Sequence, residues 1–516
     1  MLILRIFTLC VCLFSISCIC SASGKIIFVP MDNRPVCLSY TEQILKVAGW
    51  SVVTPPVELI ASRSKMGEPD KLLDWLEKEA PTADAAVVSA DALIYGGLVA
   101  SRTHDFDEKV LARRLQRLIF LKDDTLDLRL YVFSTIMRTP KASSGGVEPV
   151  YYEKYGPDIF RWSALQDKSE TMNLKKKERE EIQAVKDKIP AEVLFDWLLR
   201  RTKNLNINKS LLNATIDGKF NYFVLGKDDT APFSQSHKEA RELEQIIASQ
   251  KPWNYRMFVG ADQLGLLLLT RAINERMQDM PFISVQYAEG KGAKTIPSYE
   301  DKEVGGTVIS HIYAAGGFPT RNAARADMAL FVNTPYDGVT KEASAPENNY
   351  VIDENIEKFA LRIKEWAELK PAAVADIQFG NGASNAFALR LMEYNMGKEL
   401  AAYAGWNTAS NSIGYSLSQG ILSKYMHEKV RIELLFIRFT DDWVYQAGVR
   451  GALYSELVWP RGINGTQLDG NKTMLEAEAL KKIKKFYKDN VSERILDRLQ
   501  VTFPWNRLFE INIELH

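Results

Sequence analysis

Cysteine is almost absent past the first two dozen residues. Of five cysteines, Cys10, Cys12, Cys18 and Cys20 fall in an apolar N-terminal stretch and only Cys37 follows it. A lone thiol has no partner in its own chain, so a disulfide framework is excluded beyond residue 23, and thiol catalysis would rest on one residue. Histidine is scarce as well. The five (His104, His237, His311, His427 and His516) form no H-E-x-x-H and no pair at metal-ligand spacing, which argues against a histidine-based zinc site. Net charge is lacking, Lys+Arg and Asp+Glu balancing at 65 each, so no nucleic-acid or acidic-lipid surface is implied. There is no G-x-S-x-G elbow, P-loop or G-x-G-x-x-G, and no cofactor is expected. No run after the N-terminal stretch is apolar enough to span a bilayer.

What the N-terminus does contain reads as an export signal. Arg5 gives a positive start, Leu2 to Ile19 is nearly unbroken apolar chain, and Ser21-Ala22-Ser23 supplies the small residues a signal peptidase needs, with Gly24 opening the mature chain. Periplasmic or secreted protein is the expectation. The alternative is a lipoprotein anchored through Cys18, after Ser15-Ile16-Ser17.

Beyond it, short β-branched or aromatic runs alternate with amphipathic helical stretches, the pattern of a mostly parallel sheet covered by helices. Strands are expected at Lys25–Met31, Ser51–Thr54, Ala85–Ser89, Leu128–Thr135, Phe220–Gly226, Arg256–Gly260, Phe282–Tyr287, Met328–Asn333, Ala373–Ile377 and Ala401–Ala404, and helices at Gln235–Ala248 and Leu264–Met277. The fold class is α/β: a TIM-like (β/α)8 barrel over 24–430 with a helical insertion at about 160–215, and a C-terminal α+β subdomain over 431–516. A doubly wound N-terminal lobe followed by a second α/β domain is the alternative. The charged stretch Lys168–Lys188 reads as solvated helix, and no internal repeat is visible in the residues.

Chemistry concentrates at strand ends. Asp32 follows the first strand, Asp91 the third, Asp228-Asp229 the fifth and Asp262 the sixth; Asn333 and Asp376 close two later ones. In parallel α/β folds these ends form the ligand-binding mouth. Asp and Asn also cap helices there, but a set containing two adjacent aspartates points to a site. Two nearby carboxylates push each other's pKa values apart, giving an ionised group and a proton donor; Lys227 beside them could instead neutralise them. Asp91 opens the run to Tyr95-Gly96-Gly97-Leu98 and on to Ser101-Arg102, and Trp406-Asn407 offers an indole and an amide to a sugar ring. A catalytic carboxylate pair, a glycan-binding site without turnover, and Asp32, Asp91, Asp228 and Asp262 holding Mg²⁺ or Ca²⁺ in a hydrolase are all compatible with this set.

Met31-Asp32-Asn33-Arg34-Pro35, the Tyr95–Leu98 segment, Gly260-Ala261-Asp262, Asn381-Gly382-Ala383-Ser384-Asn385 and Ala404-Gly405-Trp406-Asn407-Thr408 together resemble a large bacterial family known as a domain of unknown function. The order of elements is also similar to the retaining β-N-acetylglucosaminidases that use substrate-assisted catalysis, including bacterial relatives of the O-GlcNAc hydrolases, although that family's Trp-Trp before the Asn is Phe331-Val332 here. This second resemblance implies a glycoside hydrolase acting on N-acetylhexosamine-containing glycans. Asp228 and Asp229 would be catalytic. Asn333, Asp337, Asn381, Asn385, Trp406 and Asn407 would hold the sugar, with Asp32, Arg34, Asp91, Tyr95 and Asp262 around it.

Overall fold

The computed structural model describes residues 24–125, 127–142, 146–248, 250–488 and 493–516. The expected export signal and its four cysteines lie outside the described residues.

The first half lays down β1 (Ile26–Val29), β2 (Val52–Val53), β3 (Ala85–Ser89), β4 (Arg129–Ile136), β5 (Tyr222–Lys227) and β6 (Tyr255–Val259). The second lays down β7 (Phe282–Tyr287), β8 (Phe318–Thr320), β9 (Met328–Asn333), β10 (Lys341–Glu342), β11 (Ala372–Asp376), β12 (Phe379–Gly380) and β13 (Ala402–Ala404). An antiparallel pair, β14 (Leu499–Thr502) and β15 (Asn512–Leu515), ends the chain. Strands such as β3 and β9 are buried along their whole length, as expected where helices cover both faces of a parallel sheet and the strand sequences are continuously apolar.

The fold is α/β, but the strands do not close into one eight-stranded barrel. They form two open sheets, β2-β1-β3-β4-β5-β6 and β13-β11-β9-β7-β8, in which every pairing is parallel. The doubly wound alternative is the one realised. Counted from its own first strand, each sheet runs second, first, third, fourth, fifth, and the first sheet adds a sixth strand beyond that. The same architecture is therefore used twice, a repeat carried by pairing order and not by recognisable residues.

The halves meet through the helices that follow their last strands, Leu264–Arg276 and Ala409–Leu422. Their core is continuous: Leu264 and Leu268 belong to one apolar cluster with Ile413 and Leu417. Gly414 lets the helices approach, since a Cβ there would lie 2.4 Å from Gln263 Cγ and 2.5 Å from its Cβ. Those atoms are too near the backbone to swing away. Gly414→Ala is therefore expected to destabilise by about 1–3 kcal/mol, the usual range for overpacking, read as a lower urea midpoint. An unchanged midpoint would mean that the helices slide apart freely.

Three helices, Tyr152–Thr171, Lys176–Lys186 and Ala191–Ile216, form the excursion between β4 and β5. Among the described residues, no helix is long and apolar enough to cross a membrane.

Candidate functional site

The carboxyl ends of both sheets converge on one cavity of about 440 Å³. From the first half come Arg34 after β1, Arg102 beyond β3, Arg138 after β4, Asp228 and Asp229 after β5, and Gly260 and Asp262 after β6. The second half contributes Tyr299, Asn381, Asn407, Tyr454, Trp505, Arg507 and Phe509. Ligands of open parallel sheets bind outside these strand ends.

Local geometry explains how the chain delivers them. Asp32 accepts the Arg34 amide at 3.0 Å, a tight turn that folds the arginine back over the strand end. The guanidinium is then clamped, donating to Asp32 Oδ2 at 2.8 Å and to Asp262 Oδ1 at 2.6 Å and Oδ2 at 3.1 Å. Asn407 Nδ2 completes this chain by donating to Asp262 Oδ2 at 2.7 Å. On the other wall Arg102 donates to Asp228 Oδ2 at 2.6 Å, and Arg138 to Asp229 Oδ2 at 2.8 Å and to Glu148 at 2.6 Å. The second oxygen of Asp228 and that of Asp229 have no protein partner among the described residues.

Backbone strain gathers here. Of nine non-glycine residues with positive φ among the described residues, four line this cavity: Asp229 (33°), Tyr299 (68°), Asn381 (60°) and Asn407 (67°). Asparagine and aspartate tolerate that region, whereas tyrosine is strained in it. Such conformations persist where the surroundings over-determine them, and they cluster at functional sites.

The electrostatics bear on Asp229. Burial, then the neighbouring Asp228, pushes the Asp229 carboxyl above the ordinary carboxylate range, against the pull of Arg138 and Arg102. Behind the wall, burial pushes Asp91 up to about 7; the Thr135 hydroxyl and amide beside it oppose the shift without being aligned for a hydrogen bond. Burial likewise carries Glu300 to about 7 and Asp376 to about 6. These acids hold protons in the folded state that the unfolded chain releases near its ordinary pKa, so their stabilisation is complete at low pH and is lost up to about 7. Buried His104 and His311, lowered to about 4, act oppositely, but only up to the ordinary histidine value of 6.5. The melting temperature is therefore expected to fall between pH 6.5 and 8. A flat or rising profile there, by scanning calorimetry, would show that Asp91 and Glu300 ionise freely in the fold.

The structure brings together Arg34, Asp228, Asp229, Asp262, Asn381 and Asn407 of the residues expected from sequence. The others are elsewhere. Asp32 lies behind Arg34 as its counter-ion, and Asp91 is buried against Thr135. Tyr95 stacks on His104 at 4.9 Å. Asn333 is buried and donates to Asp376 at 2.8 Å and Gln378 at 3.3 Å. Asp337 sits on an exposed turn and accepts the Val339 amide. Asn385 accepts the Trp443 indole N–H at 3.0 Å. Trp406 is no sugar platform; it is buried beneath Phe509, 5.3 Å between rings. Lys227 turns away from the aspartates to Asp301. Nor do Asp32, Asp91, Asp228 and Asp262 gather as cation ligands, because the Arg34 guanidinium stands between Asp32 and Asp262. Among the described residues, no group of three or more His, Cys, Asp or Glu is arranged to hold a metal. The sequence reading named Arg102 only as the end of the Asp91 run, without a role, and missed Arg138 and the C-terminal contributors Trp505, Arg507 and Phe509. Arg138, just past β4, was the one available signal.

Two doubly wound halves with an arginine- and aspartate-lined cavity at their joined carboxyl ends define a two-lobed α/β cleft protein. The chain belongs to the family described as Protein of unknown function (DUF4127), which matches residues 26–514. No curated protein matches it. Among solved structures it is similar, at 10% identity and a TM-score of 0.20, to the carboxyl transferase domain from Rhizobium etli pyruvate carboxylase with 3-bromopyruvate, covering 91% of this chain and 61% of that one. The chain thus spans less than two thirds of that structure, and a likeness this slight says nothing of its activity.

Proposed function

We propose that the protein is an exported glycoside hydrolase whose catalytic pair is Asp228 and Asp229. The observation that carries this reading is the pair itself: two adjacent carboxylates in the cavity wall, each tied to a different arginine through one oxygen and presenting the other unpartnered. Burial and Asp228 hold the Asp229 proton above the ordinary range, as a general acid requires. Burial raises Asp262 as well, but of these two only Asp229 keeps an oxygen free of protein partners among the described residues. Ring surface for a sugar comes from Tyr299, exposed, and from half-buried Tyr454 and Phe509, with amide oxygens from Asn381 and Asn407.

On an N-acetylhexosamine substrate the acetamido oxygen would attack the anomeric carbon as the glycosidic C–O bond breaks, with Asp229 giving its proton to the leaving oxygen. Asp228, held by Arg102, would stabilise the positive charge on the resulting oxazolinium. Asp229, now ionised, would take a proton from the water that reopens the ring. Asp262 is already saturated by Arg34 and Asn407, which leaves it the poorer proton donor.

The test is a panel of aryl glycosides and host and bacterial glycans offered to the mature chain. Turnover of an N-acetylhexosaminide that survives a chelator supports the reading. Saturable binding without turnover identifies a glycan-binding protein, loss of activity on chelation points to a metal-dependent hydrolase, and neither binding nor turnover of any glycan refutes the assignment.

A further inference from the structure

We infer that Asp442 and Asp376 are positioning residues, two buried carboxylates that fix the paired turns carrying Asn381 and Asn407 into the cavity. Both are about 1% exposed and neither lines the cavity. Each accepts a backbone N–H from one of the turns. The Gly405 amide donates to Asp442 Oδ2 at 2.8 Å, two residues before Asn407, and the Ser384 amide donates to Asp376 Oδ2 at 2.8 Å, three residues after Asn381.

The two anchors are cross-linked. The Ala383 amide donates to the backbone oxygen of Asp442 at 2.9 Å, and the Asn381 amide to the backbone oxygen of Asn407 at 2.9 Å. Asp376 is itself held by Asn333 at 2.8 Å and the Tyr403 hydroxyl at 3.2 Å, which gives buried Asn333 its work. Asp442 lies in the first turn of the stretch Phe439–Val449, wound as a π-helix. The wider turns set Asp441 and Asp442 side by side in the core, where Arg438 reaches Asp441 at 3.2 Å and Asp442 at 3.5 Å. Interruptions of this kind in an α-helix recur at functional sites.

The turns need such anchors because Asn381 and Asn407 both hold positive φ, a conformation that relaxes once its surroundings give way. Space is closed as well. A Cβ on Gly405 would meet Ala383 Cβ at 3.1 Å and Asp376 Cβ at 3.3 Å, so any side chain there would press the turns apart by a few tenths of an ångström. Through Asn407 the anchoring reaches Asp262 and Arg34 in the other half. Two carboxylates outside the cavity thereby set the geometry of its walls on both sides.

Hydrogen exchange on the full chain, which needs no substrate, tests the anchoring; a kinetic arm, which rests on the hydrolase reading, tests its consequence. In Asp442→Ala the Gly405 amide should exchange about ten- to hundredfold faster, the worth of one charge-assisted hydrogen bond, while strands β3 and β4 keep wild-type protection. Asp442→Asn keeps one acceptor and should recover part of the protection; it also carries the test if the alanine variant does not fold. Asp376→Asn should do the same at Ser384. On an active substrate, kcat/KM should fall about tenfold in Asp442→Asn with its dependence on the leaving group unchanged, unlike a loss of the proton donor. Wild-type exchange at Gly405 in Asp442→Ala overturns the inference, and so does an equal rise across every core strand, which would make Asp442 a prop of the core. If no glycan is turned over by the wild type, the hydrolase reading fails while the exchange data still decide the anchoring.

Discussion

Asp229→Asn is expected to reduce turnover by about 10²–10⁴-fold, the usual worth of a general acid. The loss should shrink for aryl glycosides whose leaving group scarcely needs a proton, and grow steadily as the leaving group becomes more basic. Asp228→Asn should slow all leaving groups alike, because its work is on the acetamido group, and should weaken an oxazoline mimic such as a thiazoline. Neither change strands a charge: Arg138 keeps Glu148 at 2.6 Å, and Arg102 keeps Glu148 at 3.3 Å. Both variants should therefore melt close to the wild type. Because Asp229 must be protonated to act, and burial and Asp228 hold its proton above the ordinary carboxylate range, activity should fall as pH rises through that elevated value. Measuring kcat/KM across a leaving-group series at several pH values checks all of this. Wild-type turnover in both variants would remove the pair from the mechanism.

The strands were legible because a parallel sheet buried on both faces leaves continuous apolar runs. All ten expected strands coincide with observed ones to within a few residues. The short β8 escaped because Phe318-Pro319-Thr320 follows two glycines and carries a proline, signals of a turn that an edge strand tolerates. Which strand ends meet is a different kind of information. It lies in the order of pairing, and here β2 sits outside β1 while β8 sits outside β7. An end-of-strand acid therefore reads alike whether it reaches the cavity, as Asp228 does, or turns inward as Asp376 does to accept Ser384 and Asn333. Trp406 follows the same logic. Its neighbours Gly405 and Asn407 suggested an exposed platform, but the indole is covered by Phe509, which arrives from the last strand pair more than a hundred residues later. The arginines were given no role because an arginine near a strand end gains meaning only from the acid it meets across the fold, as Arg102 does at Asp228.

Lys227 offers the second large effect, on stability. It ends β5, one residue before Asp228, and strand alternation sends its side chain to the opposite side. There its ammonium lies 2.5 Å from both oxygens of Asp301, with neither side chain more than 1% exposed. Burial pulls the lysine below its ordinary value while Asp301 opposes that pull, so the two charges depend on each other. Lys227→Met leaves a carboxylate in the interior with no counter-ion and should cost about 3–5 kcal/mol, the range for a broken buried pair. Asp301→Leu should cost less, since a lysine already lowered by burial can shed its proton. Replacing both, Lys227→Met with Asp301→Leu, removes the desolvation cost along with the attraction and should recover most of the loss. Denaturant unfolding of the four proteins closes the cycle. The single lysine change should also loosen Tyr299, two residues before Asp301, whose hydroxyl and carbonyl tie Glu342 to the Thr230 amide, so substrate affinity should weaken along with stability. A cost below about 1 kcal/mol for Lys227→Met would put the pair with exposed ion pairs, meaning that water reaches it in solution.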